Sequence, residues 1–117
     1  MASVFGVAAR TAAAAAVVAD VVEVSLHTAE PDENGSNEIA TDRQPVTWGS
    51  PASGAITAET TPEFSVPGDG TWVRWCGLWA EGDVFVGGIE LDTQIEYPAA
   101  GTYTISPLRV GVRNPTT

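Results

Sequence analysis

The chain has 117 residues, with 15 acidic side chains against 5 basic ones, all arginine, for a formal net charge of −10. That balance, with no basic cluster, argues against gripping nucleic-acid phosphates or an anionic lipid surface, and a lone cysteine excludes an internal disulfide framework or a multi-cysteine metal site. A hydrophobic fraction of 44% with 4 tryptophans points away from disorder and toward one domain with one modest core, despite 12 glycines and 8 prolines.

The first element is an alanine-rich stretch. Arg10 ahead of apolar residues has the outline of a signal peptide, but no leucine or isoleucine is present to drive insertion, and the run is too short and weakly apolar to span a membrane. Alanine's helix propensity predicts an N-terminal helix within residues 1–22, with Ser3 as its N-cap. Arg10 near its start and Asp20 near its end both oppose the helix dipole. Between Thr11 and Asp20 every side chain is alanine or valine, and a helix without a polar face is normally covered on all sides. Ala9, Ala12, Ala13, Ala16 and Val17 are therefore expected to form an assembly surface against another subunit. The alternative is a helix that packs on its own domain by one side and leaves alanines exposed.

From Val21 the period changes. Val22, Val24 and Leu26 alternate with Glu23, Ser25 and His27, the pattern of a half-buried strand whose second set faces outward. A polar acidic loop follows over residues 30–38, with a turn signal at Asn34-Gly35. Further strand-like runs fall at Val46–Trp48, Ala55–Ala58, Glu63–Val66, Thr71–Ala80, Val84–Leu91, Thr93–Tyr97 and Thr102–Leu108, separated by glycine- and proline-rich breaks. Short strands with a turn about every ten residues predict an all-β fold. The expected architecture is a compact antiparallel β-sandwich, jelly-roll-like, over residues 23–117. In the run Thr71–Ala80, strict alternation would place Val73, Trp75 and Trp79 on one side and Trp72, Arg74, Cys76 and Leu78 on the other. Gly87-Gly88 reads as a bulge or a close backbone approach.

Chemistry-bearing motifs are scarce. His27 is the only histidine, and at the outward parity of a strand it reads as a hydrogen-bonding residue that anchors a loop. Cys76 sits in an apolar run, where a free cysteine acts as a small buried hydrophobe. No G-x-S-x-G elbow, G-x-G-x-x-G or P-loop is present. No cofactor is expected. The acidic loop lacks the EF-hand pattern and reads as a solvated loop, with weak calcium binding as the alternative. The tryptophans read as core filling; exposed, they would suit stacking on sugar rings, so a carbohydrate-binding module stays open. Asn34-Gly35-Ser36 matches a glycosylation sequon.

The order Ser25-Leu26-His27-Thr28-Ala29-Glu30-Pro31, then Gly35-Ser36-Asn37-Glu38, then Arg43-Gln44-Pro45-Val46-Thr47-Trp48 resembles a family of small virion proteins of tailed bacteriophages. These are minor tail or tail-fibre proteins, common in phages of actinobacteria. Gly77-Leu78-Trp79, Gly87-Gly88 and Ala100-Gly101-Thr102-Tyr103 continue the likeness, which covers most of the chain from Val22 to about Ile105. It implies a non-enzymatic virion component made in the host cytoplasm and sited at the tail, with a capsid decoration or head-fibre protein as the alternative. It also implies a homo-oligomer, a trimer by analogy with fibre-like tail proteins, contacting other virion proteins and conceivably a host cell-surface glycan. In this light Leu26 enters the core, while His27 and Thr28 tie the strand end to the loop by side-chain hydrogen bonds. Pro31 and Gly35 shape that loop, Arg43 pairs with a carboxylate, and Trp48, Gly77 and Trp79 complete the scaffold.

Overall fold

A computed structural model describes residues 4–112. The alanine run forms one helix, α1 (Val7–Val18), shorter at both ends than the sequence suggests. Its N-cap is Gly6, extended and without a side-chain hydrogen bond; the expected cap, Ser3, lies outside the described residues. No acidic side chain in the first turn and no basic one in the last offsets the dipole, so α1 is held from its flank. Ala14 and Val18, one turn apart, are 0% and 3% exposed in the core. The opposite side is bare: Ala9, Ala12, Ala16 and Val17 are exposed and Ala13 is half-buried. Within one protomer, then, the helix adopts the one-sided packing.

After a turn at Ala19 and Asp20 the chain is all strand and loop: β1 (Val21–His27), β2 (Gln44–Pro45), β3 (Ala55–Thr57), β4 (Glu63–Val66), β5 (Thr71–Ala80), β6 (Val84–Tyr97), β7 (Gly101–Thr104) and β8 (Arg109–Gly111). Every pairing is antiparallel. A four-stranded sheet has the order β2-β1-β5-β6, and two ribbons, β3-β8 and β4-β7, stand apart from it. One face of the sheet supplies Val24, Leu26, Val73, Cys76 and Leu78, which meet Ile56, Phe64, Val66, Tyr103 and Val110 of the ribbons in a single core. This is the expected all-β antiparallel sandwich, with one layer divided into two ribbons. Thr11 Oγ1 accepts the Gly54 N–H (2.8 Å) beside β3, fastening α1 to that ribbon layer.

Several boundaries differ from the sequence reading. The two runs Val84–Leu91 and Thr93–Tyr97 are one 14-residue strand. Its pairing with β5 jumps from Val73↔Ile95 to Trp75↔Glu90, so residues 91–94 oppose Arg74 alone. That bulge also overturns the alternation expected in β5: it brings Val73 onto the core face with Cys76 and Leu78, while Trp79 lies on the other face against Ser25. Arg74 lies over the Trp72 ring, 4.5 Å from its centroid. A second irregularity, between Val21 and Glu23, turns Val21 inward and leaves Val22 47% exposed. Of the run Thr102–Leu108 only the part up to Thr104 is strand, as the end of β7; the rest, with Pro107, which has no N–H to give a ladder, leads into β8. Residues Val46–Trp48 follow the short β2 instead of forming the strand.

Cys76 is fully buried, and desolvation pushes its thiol pKa up to about 12. Native protein is therefore expected to resist iodoacetamide at pH 8 and to gain one adduct by mass spectrometry only when unfolded. Alkylation at the free-thiol rate without denaturant would contradict the packing.

Candidate functional site

The face of the sheet turned away from the core is covered too. Across β1, β5 and β6 the register sets Glu23 opposite Trp79, Ser25 opposite Gly77, and His27 opposite Trp75. It sets Gly77 opposite Gly88 and Trp79 opposite Phe85. Over this patch folds the loop between β1 and β2. Ser25 and His27, expected to point to solvent, are 1% and 0% exposed. The correction has a simple cause: alternation separates two faces, but it does not say that the second face meets water.

A directed chain of hydrogen bonds runs through the patch. His27 Nδ1 lies 2.7 Å from the Ser36 carbonyl oxygen, which can only accept, so Nδ1 carries the proton. Nε2 is then left to accept from the Ser25 hydroxyl at 2.7 Å. The Ser25 oxygen accepts the Trp79 indole N–H at 2.7 Å. Desolvation lowers the His27 pKa, against the smaller raising effects of the Ser36 bond and Glu38, and favours this neutral tautomer. Among the described residues, no buried side-chain polar atom in the fold lacks a partner.

Three glycines make room for these contacts. A Cβ on Gly77 would run into both His27 Nε2 and Ser25 Oγ. Gly88 passes beneath Pro31, whose Cγ would be 2.7 Å from a Cβ there, so this pair of the Gly87-Gly88 step is the close approach that the sequence suggests. Gly35 has φ +79°, a left-handed conformation, and a Cβ would stand 2.6 Å from Trp79 Cη2. Trp79 and Phe85 meet edge to face at 5.1 Å between centroids.

Arg43 closes the far end. Its guanidinium lies 3.6 Å above the Trp79 ring centroid and binds Glu38 through two hydrogen bonds of 2.9 and 3.1 Å. It also reaches Asp83 at 2.6 Å and Glu23 at 3.5 Å. One cation thus joins the loop, β1 and the β5–β6 turn, and its hydrogen bonds to Glu38, outweighing desolvation, raise its pKa further. Arg43→Met keeps an apolar cover on Trp79 but removes the charge, and should cost about 1–2 kcal/mol in urea unfolding. Arg43→Lys should recover less than half of that loss, because a point charge cannot reproduce the bidentate fork. Full recovery by lysine would reduce the contact to simple charge attraction.

The motif residues divide clearly. Gly35, Arg43, Gly77 and Trp79 join His27 in this clasp, Pro31 roofs its Gly88 side, and Leu26 enters the main core at 0% exposure. Thr28 binds through its backbone N–H, to Asn37 O at 3.0 Å, where a side-chain bond was expected. Trp48 lies elsewhere, donating to Val21 O at 3.2 Å and packing on the core. Ser25, Ser36, Glu38 and Phe85 take part without having been assigned a role from sequence. The spacing of Ser25 and His27, two apart on a strand and hence on one face, was the available signal.

A serine hydroxyl on a histidine whose other nitrogen is fixed could serve as nucleophile and base if substrate reached it. Here the pair is sealed under the loop, with Ser25 1% and His27 0% exposed, and it lies apart from the three clefts along β6. What the arrangement does is hold the loop onto the sheet. In the acidic loop, Asp32 Oδ1 accepts the N–H groups of Asn34 (2.9 Å) and Ser36 (3.2 Å), and these bonds lower its pKa. Among the described residues no group of three or more His, Cys, Asp or Glu side chains is placed to hold a metal ion, and no helix is long and apolar enough to cross a membrane. Trp79 is buried, Trp48 and Trp75 are half-buried, and Trp72 is 37% exposed. Comparison with known proteins finds no matching family model, no matching curated protein and no matching solved structure.

Proposed function

We propose that this chain is a non-enzymatic structural protein of a tailed-phage virion, a minor tail protein that assembles at the tail or tail tip. The observation that carries this reading is the use to which the motif residues are put. The residues of the Ser25–Pro31, Gly35–Glu38 and Arg43–Trp48 blocks converge on a sealed loop clasp and the core beside it, and they build no accessible reaction centre. A pattern spent on shape suits a structural component. The uncovered side of α1, with Ala9, Ala12, Ala16 and Val17 exposed, offers an uncharged contact for an otherwise acidic protomer, in keeping with a homo-oligomer, trimeric by analogy. Size-exclusion chromatography with light scattering tests that state.

The assignment itself is tested by Fab labelling of purified virions, viewed by electron microscopy, with an antibody raised against this chain. Label at the tail is the expected result. Label over the head would make the protein a capsid decoration, with α1 as the capsid contact.

A further inference from the structure

The long strand β6 is the outer strand of its sheet and forms a backbone ladder only with β5, while β7 and β8 form ladders only with β4 and β3. Within its bulge two carbonyls are already taken by side chains, Thr93 O by the Tyr103 hydroxyl at 2.7 Å and Leu91 O by the Gln94 amide at 3.3 Å. The free edge of β6 therefore faces the ribbon layer without a ladder between them. Three clefts of about 450, 470 and 440 Å³ lie along this edge, and all three have Ile89, Glu90 and Asp92 as a wall. Their other walls include Leu108 and Val110 of the core. A strand edge without a ladder beside clefts that mix apolar and charged walls is a geometry that accepts an added strand: the free backbone groups on either side of the bulge give the bonds, and alternate side chains fill the clefts.

Charge selects the occupant. Along β6, Glu90, Asp92 and Glu96 are exposed, and among the described residues every ion pair is made by Arg43, so none of these three carboxylates is paired. A second copy is a poor fit, because a chain of net charge −10 without lysine would set its own acidic edge against this one. We propose that the β6 edge binds an extended segment of another protein that alternates apolar and basic residues, its apolar side chains entering the clefts and its basic ones meeting Glu90, Asp92 and Glu96. At the end of the groove near α1, Arg10 and Arg109 line the cleft, so the segment carries no basic residue there. This inference does not depend on the virion assignment.

The test uses a labelled peptide of about eight residues alternating valine and lysine, with hydrogen exchange of the full chain as the map. The peptide is expected to bind and to slow exchange at residues 89–96. Proline at its centre, which leaves the charge unchanged but removes a ladder N–H, should weaken binding at least about tenfold. Replacing its lysines by glutamate should abolish binding. Glu90→Lys combined with Asp92→Lys, at exposed positions, should reverse that charge preference while the melting temperature stays unchanged. Equal binding of the proline peptide would show unspecific charge attraction and overturn the proposal. So would absence of binding at about 1 mM peptide, or concentration-dependent protection of β6 without peptide, which would assign the edge to a second copy.

Discussion

Gly77→Ala is expected to cost at least about 3 kcal/mol, a large part of the stability of a domain of this size. Alanine normally gains about 0.5–1 kcal/mol over glycine in a strand interior, because it restricts the unfolded chain. At this position the sign reverses. The added methyl falls where Ser25 Oγ and His27 Nε2 meet, so the buried bond between them must break or both strands must part. Moving His27 away is blocked by Phe85, whose ring centroid is 6.3 Å from the imidazole, and it would also pull Nδ1 off Ser36. Gly87→Ala is the matched control: a Cβ there meets nothing within 4 Å, so that variant should be neutral or slightly stabilised. Urea unfolding of both proteins decides the matter, and a Gly77→Ala protein within about 0.5 kcal/mol of the parent would remove the basis for the clasp.

The second large effect concerns His27, and its sign follows from burial. Desolvation depresses the folded pKa below the unfolded value of 6.5. Between those two values the unfolded chain holds the extra proton, so stability rises with pH across the window. The contribution is fully present above about pH 6.5 and is lost as pH falls through the folded value, with a slope of at most about 1.4 kcal/mol per unit. Protonation would also oblige Nε2 to donate toward an oxygen that already accepts the Trp79 N–H, leaving Ser25 to turn its own proton elsewhere. His27→Ala should cost about 3 kcal/mol at pH 7.5, from the cavity and two broken hydrogen bonds. Because the chain has a single histidine, the same variant should also flatten the pH profile just below about pH 6.5. A variant that melts like the parent yet fails to assemble would instead make His27 a contact residue.

How much of the clasp was legible beforehand depends on the residue. The loop position of Pro31 and Gly35, the pairing of Arg43 with a loop carboxylate and the anchoring role of His27 all follow from residue type near a turn. The part played by Phe85 does not. It is separated from His27 by 58 positions in the chain, and only the β1–β5–β6 register brings them onto one face. The depth of His27 was likewise hidden, since a period of two assigns side chains to faces but says nothing about what covers each face.

By itself, the sequence determined the class of the fold. Alanine content set one helix at the N-terminal end, and β-branched and aromatic runs between glycine and proline breaks set a succession of short antiparallel strands. Those properties reside in single residues and near neighbours. The tertiary structure alone decided which side of each strand is core, because one bulged residue moves every later side chain to the other face, as Val73 shows in β5. It also decided that the motif closes on itself, and that the long β6 edge remains without a ladder beside its clefts. Both outcomes depend on contacts between segments far apart in the chain, and no local preference encodes them.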